Sequence, residues 1–196
     1  SKNNLFFQVQ NLCTYIKENF ALLLKTQNLY LCLNKTTMAK INKTNAARLL
    51  DQKKINYQLI PYEVDEQHLD AGHVAESLGE NIEQVFKTLV LKGDKSGYFV
   101  CVIPGNCEVD LKKAAKVSGN KNCDLIPMKD LLPTTGYIRG GCSPIGMKKL
   151  FPTYLHSTAN DFEYIYISAG VRGLQIQIAP NDLIAVSNAT LNDLIL

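Results

Sequence analysis

At 196 residues the chain has room for one domain with an appendage, and it buries a substantial core without disulfides or metal. Its 46% hydrophobic and 20% charged residues are ordinary globular usage and exclude wholesale disorder. No apolar run reaches the roughly 18 residues that span a bilayer. The best candidate, Phe20 to Leu33, is broken by Lys25, Gln27 and Asn28 and lacks a small-residue cleavage site, so neither a membrane span nor a secretory signal is expected.

The net charge of +3 sits at the N-terminus: residues 1–37 carry Lys2, Lys17, Lys25 and Lys35 against Glu18, and the remainder balances. A neutral domain attracts a polyanion only through a local basic patch. The six cysteines form no C-x-x-C pair, and His68, His73 and His156 show no zinc-ligand spacing beside them. Reduced thiols packed as small hydrophobes in the cytoplasm are the expectation.

Residues 1–37 contrast with the rest of the chain. The segment from Asn11 to Leu33 has irregular apolar spacing, and Met38 opens a better-organised stretch. Two readings stand: an N-terminal extension that is a translated leader or a segment added by cloning, or a helix that docks on the domain 38–196.

From Thr44, a cap candidate, Ala46, Ala47, Leu49 and Leu50 predict a helix. Tyr57 to Tyr62 alternates as a strand, with Pro61 marking an edge or end. Residues 63–83 hold seven acids and no Lys or Arg, and within them His73 to Leu78 predicts a short helix stopped by Gly79. Val85 to Leu91 and Tyr98 to Ile103 read as a hairpin around Gly93-Asp94-Lys95-Ser96-Gly97. Asp110 caps a predicted helix over Leu111 to Val117, which Gly119 ends. Strands are predicted near Cys123 to Ile126, Tyr137 to Arg139, Tyr164 to Ser168 and Leu174 to Ile178. Pro180 opens a helical turn and Thr190 caps a last one. Elements mixed without strict βαβ alternation predict an α+β fold with a curved mixed sheet.

Three segments carry possible chemistry. Lys87 lies among Val85, Phe86, Leu89 and Val90, where an ammonium either snorkels from an edge or reaches a cleft. Four glycines in Gly136 to Gly146 allow a backbone to approach a ligand, or simply build a loop of several turns. The pattern is neither a P-loop nor a dinucleotide fingerprint. Ser168 to Gly173 is either a ligand loop, with Arg172 suited to phosphate or carboxylate, or a plain connection. Cys142 has no histidine near it in sequence, so a cysteine nucleophile is not expected.

Taken in order, Val85-Phe86-Lys87-Thr88-Leu89, Asp110-Leu111-Lys112-Lys113, Thr135-Gly136-Tyr137 with Gly140-Gly141-x-Ser143-Pro144-x-Gly146-x-Lys148-Lys149, and Ser168-x-Gly170-x-Arg172-Gly173-Leu174 resemble the YbaK/EbsC-type aminoacyl-tRNA deacylases, relatives of the editing domain of bacterial prolyl-tRNA synthetases. The resemblance covers residues 42–195; residues 1–37 have no counterpart. It implies a curved mixed sheet approaching a barrel, with helices around it. It also implies a trans-editing enzyme that clears Cys-tRNA(Pro), with no cofactor and no metal. The implied partners are the 3′ aminoacyl end of a mischarged tRNA and prolyl-tRNA synthetase.

Carried over by residue, Lys87 matches the family's essential lysine. Gly140 and Gly141 match glycines whose N–H groups line the pocket, and Tyr62 and Ser168 match positions at the aminoacyl end. Thr88, Ser143, Gly170 and Arg172 complete the implied substrate-binding set. The family brings no nucleophile of its own: the thiol of the substrate attacks its ester carbonyl and leaves as a thiolactone. Gln175 stands where relatives often carry an acid. Two alternatives remain open, the same fold acting on another mischarged tRNA such as Ala-tRNA(Pro), and a non-catalytic module that binds tRNA or synthetase.

Overall fold

The computed structural model describes residues 42–67 and 70–196. The fold is that of the unit Lys43–Leu196. Residues 1–37, their suggested helix and His68 lie outside the described residues.

Helix α1 (Asn45–Gln52) starts where Thr44 accepts the Ala47 N–H on its hydroxyl at 3.2 Å, and it buries Ala46, Ala47 and Leu50. Strand β1 (Tyr57–Pro61) follows, then α2 (Ala71–Leu78). Helix α2 begins on the Asp70 carboxylate, which takes the His73 N–H, and ends at Gly79 in the left-handed conformation. The hairpin strands β2 (Phe86–Gly93) and β3 (Gly97–Pro104) pair in full register from Phe86–Pro104 to Gly93–Gly97. Helix α3 (Leu111–Val117) is capped by Asp110, as its sequence predicts. Strand β4 (Cys123–Leu125), helix α4 (Met128–Thr135), strands β5 (Thr153–His156), β6 (Ile165–Ser168) and β7 (Leu174–Ile178), helix α5 (Pro180–Ser187) and strand β8 (Thr190–Asn192) complete the order.

The strands form two sheets. One is antiparallel, β1-β7-β6; the other is mixed, β4-β2-β3-β5-β8, with β3-β5 and β5-β8 parallel. A parallel bridge between Val85 and Tyr166 joins them, and the ring stays open. The expected α+β class with a mixed sheet holds. One face of the hairpin packs Leu91, Phe99, Cys101 and Ile103 on Ala114 and Ala115 of α3 and on Leu194. A second cluster sets Val85 and Tyr166 against Val74 and Ala75 of α2.

Two predicted elements are corrected. Tyr137 to Arg139 is not a strand. The segment follows the left-handed cap Gly136, the Tyr137 N–H goes to Thr135 Oγ1 at 3.0 Å, and its hydroxyl donates to Ile145 O at 2.7 Å, so its polar groups are taken by loop partners. Thr190 does not cap a turn but opens β8, paired beside Tyr154. Helix α4 escaped the sequence reading because Pro133 lies inside it and no side chain caps its start.

The C-terminus is held by His156. This residue is 3% exposed, and its Nδ1 accepts the Leu194 N–H at 3.1 Å, which requires a neutral ring. Burial lowers its pKa below 6.5 despite the Asp193 carboxylate 4.0 Å away. As pH falls through 6.5 the unfolded chain takes up a proton that the folded chain refuses, so the stability this histidine contributes at neutral pH is lost below about 6.5. Urea midpoints measured from pH 8 to pH 5 are expected to fall more steeply for this protein than for a His156→Gln variant; parallel curves would contradict the assignment.

Candidate active site

Strand β2 carries the site. On its outer edge it pairs with β4 only at Leu91–Gly93, and Val85 bridges to Tyr166. Residues 86–89 between these pairings have no ladder partner on that side among the described residues. A cleft of about 380 Å³ opens along this gap. Its floor is the β2 backbone with Lys87 and Thr88; Ser168 of β6 and Gln175 of β7 form one wall. Ile126, Met128 and Leu131 form the facing wall, and Arg139, Gly140 and Cys142 close one end. That volume is within the range of small-molecule sites.

Lys87 is half-buried, and its Nζ donates to the Gly105 carbonyl at 3.0 Å. An ammonium has three N–H donors, and this bond engages one of them. Lys87 thus lines the cleft with its ammonium tethered to the Gly105 carbonyl. Gly105 is held in turn: its N–H donates to Val85 O at 2.7 Å, and a Cβ there would come within 2.3 Å of Ala71 Cβ. Only glycine lets the end of β3 approach α2 this closely.

Among the described residues, three buried side-chain oxygens lack a hydrogen-bond partner, and two of them, Thr88 Oγ1 and Gln175 Oε1, line this cleft. An unpaired buried oxygen costs about 1–3 kcal/mol, so two of them on residues of one cleft favour a polar occupant there, water or ligand.

Of the residues carried over from the family resemblance, Lys87, Thr88, Gly140 and Ser168 line the cleft. Tyr62, Gly141, Ser143, Gly170 and Arg172 lie in the loops and packing behind it. Tyr62 donates its N–H to Gly173 O and packs on the Val85–Tyr166 cluster. Ser143 is fully buried, its Oγ accepting the Ile145 N–H at 3.3 Å. The Gly141 N–H goes to Ile138 O at 3.0 Å, and a Cβ there would stand 3.2 Å from the Val171 backbone. Gly170, at φ +96°, donates to Ser168 Oγ at 3.3 Å and lies against the Tyr137 ring. Arg172 Nε donates to Arg139 O at 3.0 Å. The two glycine-rich segments thus pack on each other, with Tyr137 between them. The sequence reading has Ile126 at the end of a strand but missed the helix that brings Met128 and Leu131 to the cleft, because Pro133 argues against it.

Cys142 is buried, and desolvation pushes its thiol up to about 12 against a smaller opposing hydrogen bond from Thr135. It stays protonated at neutral pH and is a poor nucleophile. Among the described residues no three His, Cys, Asp or Glu side chains gather where they could hold a metal ion, and no helix is long and apolar enough to cross a membrane.

Residues 65–186 match the family model described as the aminoacyl-tRNA editing domain. The chain belongs to this family. It is 54% identical over 146 residues to the Enterococcus faecalis protein EbsC, named for a proposed Cys-tRNA(Pro)/Cys-tRNA(Cys) deacylase activity, covering 74% of this chain and 89% of that one. A proline–tRNA ligase of Fervidobacterium nodosum is 31% identical over 78 residues, which are 40% of this chain and 13% of the ligase. Among solved structures, a proposed trans-editing enzyme for prolyl-tRNA synthetase superposes with a TM-score of 0.69 at 22% identity, covering 78% of this chain and 95% of that one, and shares the fold.

Lys87→Ala is expected to lower single-turnover deacylation by about a hundredfold, roughly 3 kcal/mol, the scale of losing one charge-directed donor, with the fold intact. Cys142→Ser is expected to stay within a few fold of the unsubstituted rate. The reverse order of effects would make Cys142 the reactive group.

Proposed function

We propose that the protein is a trans-editing deacylase that removes cysteine from Cys-tRNA(Pro) in the cytoplasm, alongside prolyl-tRNA synthetase. One observation carries the reading: a lysine on the wall of a small-molecule-sized cleft, its ammonium held by a glycine carbonyl. The 54% identity to EbsC and the match to an editing domain support it. Cysteine and proline are close in volume, and a synthetase pocket separates near-isosteres poorly, so a second sieve is useful.

The residues then take these roles. Lys87 stabilises the negative charge that develops on the ester carbonyl oxygen. Thr88 Oγ1, Ser168 and Gly140 orient the aminoacyl end. The exposed Leu125 and Met128 at the cleft mouth offer an apolar seat to the terminal base. Arg139 and Lys148 stand exposed beside the glycine loops as contacts for backbone phosphate, while on α3 Lys112 and Lys116 are exposed and Lys113 is held by Asp193 at 2.8 Å.

The attacking atom is the sulfur of the substrate. It forms a C–S bond to the ester carbonyl carbon, the C–O bond to the tRNA 3′-oxygen breaks, and the thiol proton ends on that oxygen. Cysteine leaves as a thiolactone. The enzyme supplies position, and a well-held internal nucleophile reaches effective molarities of about 10⁵ M or more.

Ser-tRNA(Pro), with a hydroxyl in place of the thiol, is expected to react far more slowly than Cys-tRNA(Pro). Equal rates for the two, or faster release from Ala-tRNA(Pro), would sink the thiol mechanism. Affinity for the tRNA is expected to fall as salt rises, through counterion release.

Residues 1–37 are proposed to be dispensable to this activity, since the family match begins at residue 65 and α1 has its own cap at Thr44. A chain starting at Met38 is expected to keep its melting temperature and its rate. A loss above about 2 kcal/mol, the scale of one large buried apolar side chain, would refute this.

A further inference from the structure

Gln175 sits within β7, between Ile60 of β1 and Ser168 of β6. It is 5% exposed, it is one of the residues lining the cleft, and its buried Oε1 has no hydrogen-bond partner. The side chain is buried on the central strand of its sheet, where an oxygen without a partner costs stability. The polar group therefore has a use outside the folded chain's own bonding.

The donors in the cleft sort the ligand. The side chains of Lys87 and Arg139 only donate, so they suit the carbonyl and phosphate oxygens of an aminoacyl ester and repel its amine. The ester's α-amino group needs an acceptor. Gln175 Oε1 accepts and carries no charge.

Resting on the deacylase reading of this cleft, we propose that Gln175 Oε1 receives the α-amino group of the bound aminoacyl residue, so that the site requires a free amine. An ester whose amine is already acylated, as in a peptidyl-tRNA, would then be spared.

The test uses two hydrolysis-resistant probes, 3′-cysteinylamino-3′-deoxyadenosine and its 3-mercaptopropionyl counterpart, which lacks only the amine. Both are titrated calorimetrically into the full chain and into Gln175→Leu and Gln175→Glu. The full chain is expected to favour the amine-bearing probe at least tenfold. Gln175→Leu should erase that preference while melting at the same or a higher temperature, because an orphaned oxygen has been removed. Gln175→Glu retains an acceptor and should keep the preference. No preference in the full chain, a preference that survives in Gln175→Leu, or its loss in Gln175→Glu would overturn the proposal. Deacylation of Cys-tRNA(Pro) is scored separately. Amine preference without turnover removes the reaction and leaves Gln175 assigned; turnover without amine preference does the reverse.

Discussion

The site depends on how Gly105 closes the end of the central hairpin. Its N–H reaches back to Val85 O at 2.7 Å, and its carbonyl takes Lys87 Nζ at 3.0 Å. Val85 also makes the bridge to Tyr166 that joins the two sheets. One short knot of backbone therefore fixes three things together: the meeting of the sheets, the unpaired edge of β2 below it, and the direction of the ammonium. The absence of a side chain at 105 makes this geometry available, because Ala71 already occupies the space a Cβ would need. A strand edge left open is normally a liability for aggregation. Here the walls of α4, β6 and the 139–142 loop shelter it, and the open edge becomes the floor of a cleft.

A site built this way suits the proposed chemistry, in which the substrate brings its own nucleophile. The thiol within the cleft, Cys142, is desolvated and protonated. What the cleft does contain is a fixed cation and two buried acceptors that the folded chain leaves unpaired. Two such oxygens on residues of one cleft make a polar occupant favourable there. Orientation is the quantity that the proposed internal attack requires.

Much of the frame was legible in the sequence because local chemistry decides it. Asp110 before Leu111-Lys112-Lys113, and Gly79 after a short apolar run, mark helix ends through caps that act within three residues. The Gly93–Gly97 turn fixes the hairpin, and in the folded chain Asn120 closes it by accepting the Lys95 and Ser96 N–H groups at 2.9 Å. That clamp reaches across a long stretch of chain, and no local pattern announces it. The same limit hid α4: Pro133 argues against a helix locally, and the wall it forms with Met128 and Leu131 is specified by the cleft it faces. Lys87 was visible as an oddity on an apolar strand, yet the sequence alone could not choose between an edge and a cleft. In the folded chain its ammonium is held by Gly105, just past the far end of the partner strand.

The glycine-rich segments teach the converse lesson. Consecutive glycines invite the reading of an anion-binding concavity. In the fold, Gly141 lies against the Val171–Arg172 backbone, and Gly146 and Gly170 both lie against Tyr137. Their missing side chains let two loops interlock around one buried ring whose hydroxyl is tied to Ile145 O at 2.7 Å. Gly140 is the member of the set that reaches the cleft. The motif thus constrains function indirectly: it sets Arg139 and Gly140 at the end of the cleft and Ser168 along its wall by packing loop on loop. A side chain added at Gly170 would meet Tyr137 at 2.8 Å, so the pressure falls on the packing between the loops, and through the Gly170 N–H bond to Ser168 Oγ it reaches the cleft wall.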